Sequence, residues 1–147
     1  MGKHTWITME SVGLRPWQDV VADIAAECES EAEKAMARIL YQVAFDRVVE
    51  YERAYFIITP QHDLQPTHGI PYRADFMVIS ALGPVVVEVD GFAWHSDQGA
   101  FQRDRRRDRA FAAAHLPVMR FTAKECLDPG DYTEDDGVHA ELRKAMR

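Results

Sequence analysis

Tyr72-Arg73-Ala74-Asp75-Phe76-Met77-Val78-Ile79 and, after an Ala81-Leu82-Gly83-Pro84 turn, Val85-Val86-Val87-Glu88-Val89-Asp90-Gly91 are the stretches whose reading decides the fold. Both are β-branched and apolar enough to read as neighbouring strands, and the second is apolar on both faces, as a strand covered from two sides must be. Such a strand should end in apolar residues. This one ends in Glu88 and Asp90, whose i, i+2 spacing puts both carboxylates on one face about 7 Å apart along the chain. Asp75 interrupts the preceding strand in the same way, on the face shared by Arg73, Met77 and Ile79 if alternation is strict. Clustered carboxylates repel one another and are driven toward protonation by burial, and a hard divalent cation reverses both effects by taking oxygen ligands. The acids therefore point to a metal site.

Composition frames that site. A chain of 147 residues, 47% hydrophobic and 28% charged, suits one globular domain with its own core. No apolar run reaches the length of a membrane span or a signal segment, so a cytoplasmic protein with no membrane partner is expected. Cys28 and Cys126 lack paired spacing and read as buried free thiols. The net charge of −7 opposes nucleic-acid binding at first sight, but it is unevenly spread. Residues 53–124 carry nine bases against seven acids, although the acids of the candidate site fall among them.

Working outward, residues 4–9 read as a short edge strand. Pro16 opens an amphipathic helix with Trp17, Val20, Val21, Ile24, Ala25 and Cys28 on its apolar side. Ser30-Glu31-Ala32-Glu33 is a capping box for a second helix that buries Ala32, Met36, Ile39, Leu40 and Val43. Glu33 is thus both a capping residue and a candidate site acid. An aromatic and β-branched run over 55–59 predicts a strand closed by Pro60, and 61–71 a connection. A highly charged helix is predicted over 98–115, with Phe101, Asp104, Asp108, Phe111 and His115 on one stripe and Arg103, Arg106 and Arg107 away from it. A last strand over 116–122 is followed by an acidic surface connection, 125–137, and a short C-terminal helix.

The order helix, three strands, helix, strand, with acids on the first helix and on the second and third strands, resembles the core of the PD-(D/E)XK nuclease superfamily. More narrowly it is similar to the very-short-patch-repair (Vsr) endonuclease-like branch. The likeness covers roughly residues 30–124. It rests on Tyr72-Arg73-Ala74-Asp75-Phe76, on Val87-Glu88-Val89-Asp90-Gly91, on Gly91-Phe92-Ala93-Trp94-His95, and on Phe101-x-x-Asp104-x-x-Arg107-Asp108 leading to Val118-Met119-Arg120-Phe121-Thr122. It implies an α/β fold with a restriction-endonuclease-like αβββαβ core, a four-stranded mixed sheet flanked by helices, and Mg²⁺-dependent cleavage of DNA, with Mn²⁺ as a substitute.

Carried across residue by residue, the resemblance makes Asp75 and Glu88 metal ligands together with the Val89 carbonyl, His95 the proton carrier, and Glu33 the acid of the first helix. Gln61 corresponds to a glutamine common in relatives, and Asp104 and Asp108 to groups that orient His95 or an arginine. Arg73, Trp94, Arg103, Arg106 and Arg107 are the candidate DNA contacts, the arginines on phosphate and Trp94 on a base. The sequence departs from the pattern in three places. Asp90 stands where the superfamily has its lysine, so that lysine's part falls to His95, to an arginine such as Arg73, or to a second metal. The ligands of the repair enzymes' structural zinc have no counterpart, and no zinc is expected. Ala93 replaces one of the two aromatic residues that those enzymes insert between bases. The alternative is a nuclease-fold module that no longer cuts and binds nucleic acid or a protein partner; homodimerisation has no support in the sequence.

Overall fold

The computed structural model describes residues 2–64, 71–91, 98–131, 133 and 135–147. In chain order the elements are β1 (Thr5–Thr8), α1 (Trp17–Ala25), α2 (Glu31–Glu50), β2 (Tyr55–Leu64), β3 (Tyr72–Ser80), β4 (Gly83–Asp90), α3 (Gln98–Ala113), β5 (Val118–Thr122), α4 (Ala123–Leu127) and α5 (Val138–Ala145). The expected αβββαβ order is therefore present from α2 to β5. The strands form one mixed sheet in the order β1-β2-β3-β4-β5, antiparallel except for the parallel pair β4 and β5. That is five strands where four are expected, because β1 adds to the β2 edge through Thr5↔Ile58 to Thr8↔Tyr55.

α2 is the spine of the larger core. Its N-terminus is fixed by the capping box: Ser30 Oγ accepts from the Glu33 N–H at 3.1 Å while the Glu33 carboxylate accepts from the Ser30 N–H at 2.8 Å. Met36, Ala37, Leu40, Tyr41, Val43, Ala44 and Val48 are all buried, a wider band than one amphipathic stripe, because α2 lies on the sheet with α1, α4 and α5 packed along it. Phe56, Ile58, Phe76, Val78, Val87 and Phe121 supply the sheet's side of this core. A smaller cluster of Ala74, Met77, Val86 and Phe111 fills the space beneath α3 on the other face.

Several boundaries differ from expectation: α3 ends at Ala113 and β5 begins at Val118, each two residues inside the expected range, and three other differences bear on packing. α1 stops at Ala25, so Cys28 lies past its end, with Sγ 3.6 Å from the Ile24 carbonyl. β2 runs through Pro60 to Leu64; β1 pairs only with residues 55–58, so the missing Pro60 N–H interrupts no bond to that neighbour. The segment expected as a surface connection begins instead with α4, capped by Thr122 and Glu125 and burying Ala123 and Cys126 against α2. Gly83, at φ +106°, closes the turn into β4 in a conformation that other residues resist.

Candidate functional site

The site begins with a break in strand alternation. Pairing of β2 with β3 runs from Ile57↔Ile79 to Pro60↔Phe76 and resumes at His62↔Ala74, leaving Gln61 and Asp75 opposite each other at an interrupted step. Gln61 takes φ +49°, unusual for a residue with a side chain. On one side of the step Phe76 and Val78 face the α2 core. On the other, Tyr72 lies 5.7 Å from the Phe111 ring and Ala74 joins the α3 cluster. Strict alternation would put all four on one face, so the expected division of β3 is corrected: the strand changes face at Asp75. Because β2 turns at the same step, register is kept on both sides, and Gln61 and Asp75 are both free to turn toward α2.

β3 and β4 part at the same place. Their ladder starts at Phe76↔Val87, and the next step outward would join Asp75 to Glu88. Side chains replace the ladder there: the Asp75 N–H donates to Glu88 Oε2 at 3.3 Å, and the Val89 N–H donates to Asp75 Oδ2 at 2.8 Å. The Asp75 carboxyl is pushed up to about 9, first by burial and then by the hydrogen-bonded Glu88 carboxylate, with Glu33 adding to the shift and the Val89 N–H opposing it. Glu88 is 4% exposed, and its Oε1 is buried without a hydrogen-bond partner.

Glu33 is committed elsewhere. Its Oε1 accepts from Gln61 Nε2 at 3.0 Å, and its Oε2 accepts from the N–H groups of Glu29 and Ser30, both at 2.8 Å. It ties the start of α2 to the break in β2 and leaves the ligand chemistry to Asp75 and Glu88. Cys28 stands beside these acids, and burial followed by the charges of Glu33 and Asp75 raises its thiol to about 12.

The cations are divided between two helix faces and two strands. Arg107 on α3 turns inward, with Nη1 4.0 Å from Glu88 Oε1 and Nη2 3.8 Å from Asp104, which separates it from the exposed Arg103 and Arg106. Arg120, which sequence reasoning did not single out, stands beside Glu88 in the β4–β5 register. It reaches Asp108 at 2.5 Å and Asp90 at 3.6 Å. Asp108 thus orients an arginine, and Asp90 faces a positive charge. Its motif, Val118 to Thr122, held the only signal for Arg120: a charged residue in an otherwise apolar strand. Arg73 lies outside the cluster, exposed and paired with Asp63 at 3.3 Å and Glu29 at 3.7 Å. Trp94 and His95 fall outside the described residues.

Among the described residues no group of three or more His, Cys, Asp and Glu side chains is arranged to grip a metal ion. What the site does offer is two touching carboxylates, one with a spare buried oxygen, at the mouth of a parted strand pair. No family model, curated protein or solved structure matches the chain. No described helix is long and apolar enough to cross a membrane.

Proposed function

We propose that the chain is a metal-dependent endonuclease of the Vsr-like PD-(D/E)XK type, hydrolysing phosphodiester bonds in DNA. The observation that carries this is the contact of Asp75 with Glu88 where β3 and β4 part, with Glu88 Oε1 buried and without a hydrogen-bond partner. A purely structural pair of acids would be costly at such a place. The donor set fits Mg²⁺, an ion commonly held by one or two carboxylates and completed by water and phosphate oxygens. Asp75, Glu88 and the Val89 carbonyl would hold it, and when bound it would supply charge for the phosphate and a lowered pKa for water.

The chain's own groups account for the rest. Glu33 and Gln61 hold the interrupted step that aims Asp75, and Arg120 offsets the charge of Asp90. His95 is the proposed proton carrier, since its ordinary pKa lies near neutrality. Arg103 and Arg106, exposed along α3, are the proposed phosphate contacts that would position a duplex without reading its sequence, and Trp94 is the proposed base-stacking residue. The second reading, a nuclease-fold module that binds without cutting, is favoured by Asp90 at the position of the superfamily's lysine.

The test is incubation with supercoiled, linear and single-stranded DNA in Mg²⁺, in Mn²⁺ and in chelator, beside Asp75→Ala and Glu88→Gln. Metal-dependent cleavage lost in both variants supports the enzyme. DNA binding without cleavage supports the module, and cleavage that survives both substitutions refutes this site.

A further inference from the structure

We propose that Arg107 is a catalytic residue of this site, its guanidinium donating to a non-bridging oxygen of the scissile phosphate as negative charge builds there. The proposal rests on the nuclease reading and assigns the positive charge that Asp90 removes from the superfamily's lysine position.

The geometry separates Arg107 from the other arginines near the acids. Arg120 is spent: it holds Asp108 at 2.5 Å and lies 3.6 Å from Asp90. Arg73 is exposed and turned to Asp63 and Glu29. Arg107 has a side chain only 25% exposed, yet its two carboxylate neighbours, Glu88 at 4.0 Å and Asp104 at 3.8 Å, are beyond hydrogen-bond distance. Its Nε is buried with no hydrogen-bond partner, and so is Glu88 Oε1 opposite it. The part-exposed guanidinium thus stands beside the Asp75–Glu88 pair with hydrogen-bonding capacity that no carboxylate uses, so an acceptor arriving at the acids meets an unengaged donor. A phosphate oxygen is such an acceptor, and a planar guanidinium presents its donors to it as a fork.

In the step itself the oxygen of water bonds to phosphorus, the bond from phosphorus to the leaving oxygen breaks, and its electron pair stays on that oxygen. The attacking water loses one proton to solvent and the leaving oxygen gains one from it, so one water is consumed with no redox change. Arg107 keeps all its protons throughout. Its hydrogen bonds strengthen as charge gathers on the phosphate, which lowers the barrier rather than tightening ground-state binding.

The experiment measures cleavage of supercoiled plasmid DNA in Mg²⁺ by the full chain, Arg107→Gln, Arg107→Lys and Arg107→Gly, with melting temperatures for each. Arg107→Gln should lower kcat by about 10²–10³-fold with KM nearly unchanged. Added guanidinium should restore part of the activity of Arg107→Gly, an effect that a structural role would not produce. Should Arg107→Gln fail to fold, the folded Arg107→Lys decides, with reduced kcat expected because an ammonium lacks the fork. A wild-type kcat in Arg107→Gln or, where that variant does not fold, in Arg107→Lys overturns the proposal, as does a loss confined to KM. Wild-type protein that does not cleave at all overturns the nuclease reading and this inference together; cleavage that is indifferent to Arg107 overturns this inference alone.

Discussion

Replacing Asp75 by asparagine should change how stability depends on pH, and in a direction opposite to that of an ordinary surface carboxylate. The Asp75 carboxyl is raised from 3.8 to about 9 in the folded chain, by burial and by Glu88. Its contribution to stability is complete below the unfolded value and is lost as pH rises toward the folded one, because over that window the native state holds a proton that the unfolded state has released. The slope for one proton is about 1.4 kcal/mol per pH unit, so metal-free protein should lose stability on the order of 2–3 kcal/mol between pH 6 and pH 8 from this source. Asparagine keeps an oxygen for the Val89 N–H and removes the titration. Urea denaturation in chelator at pH 6, 7 and 8 measures it: the wild type should fall relative to Asp75→Asn by that amount. Parallel pH profiles for the two proteins would refute the crowding of Asp75 with Glu88 and Glu33.

Ser30→Ala removes the acceptor for the Glu33 N–H and should cost about 1 kcal/mol in denaturant titrations. Gly83→Ala places a side chain at φ +106° and should lower stability by more than about 1 kcal/mol, read as a reduced melting temperature. Cys126, buried and raised to about 12 by burial and nearby acids, should react with a thiolate-selective reagent at pH 8 only after denaturant is added, while the half-buried Cys28, raised likewise, should label more slowly than a free thiol; prompt labelling of Cys126 in the native protein would contradict its placement.

Much of the site's framework was legible because it is written in local chemistry. Ser30 and Glu33 three residues apart mark a helix start wherever they occur, and the valines of β4 identify a strand covered on both faces. What escaped depends on neighbours distant in sequence. Residues 4–9 read as an edge strand by themselves, but that β1 joins the β2 edge and makes the sheet five-stranded depends on its pairing with residues 55–58. Pro60 reads as a terminator until the width of β1 is known. The face change at Asp75 is invisible to a period-two reading, because it arises where Gln61 across the sheet takes a left-handed conformation and Glu33 holds its side chain. Arg107 reads as part of a solvated basic run, and only the seating of α3 over β4 turns it toward Glu88. The Thr122 and Glu125 capping box of α4 was within reach, being the same signal that located α2, but acidic residues downstream masked it.

The most direct test is the rate at which supercoiled plasmid DNA is nicked in Mg²⁺ by wild type and by Glu88→Gln at equal concentration. Glutamine preserves the volume of Glu88 and an acceptor for the Asp75 N–H while removing the charge. The predicted result is nicking by the wild type that stops with chelator and is absent in Glu88→Gln. Equal nicking by both proteins would contradict the assignment of Asp75 and Glu88 as a catalytic metal site.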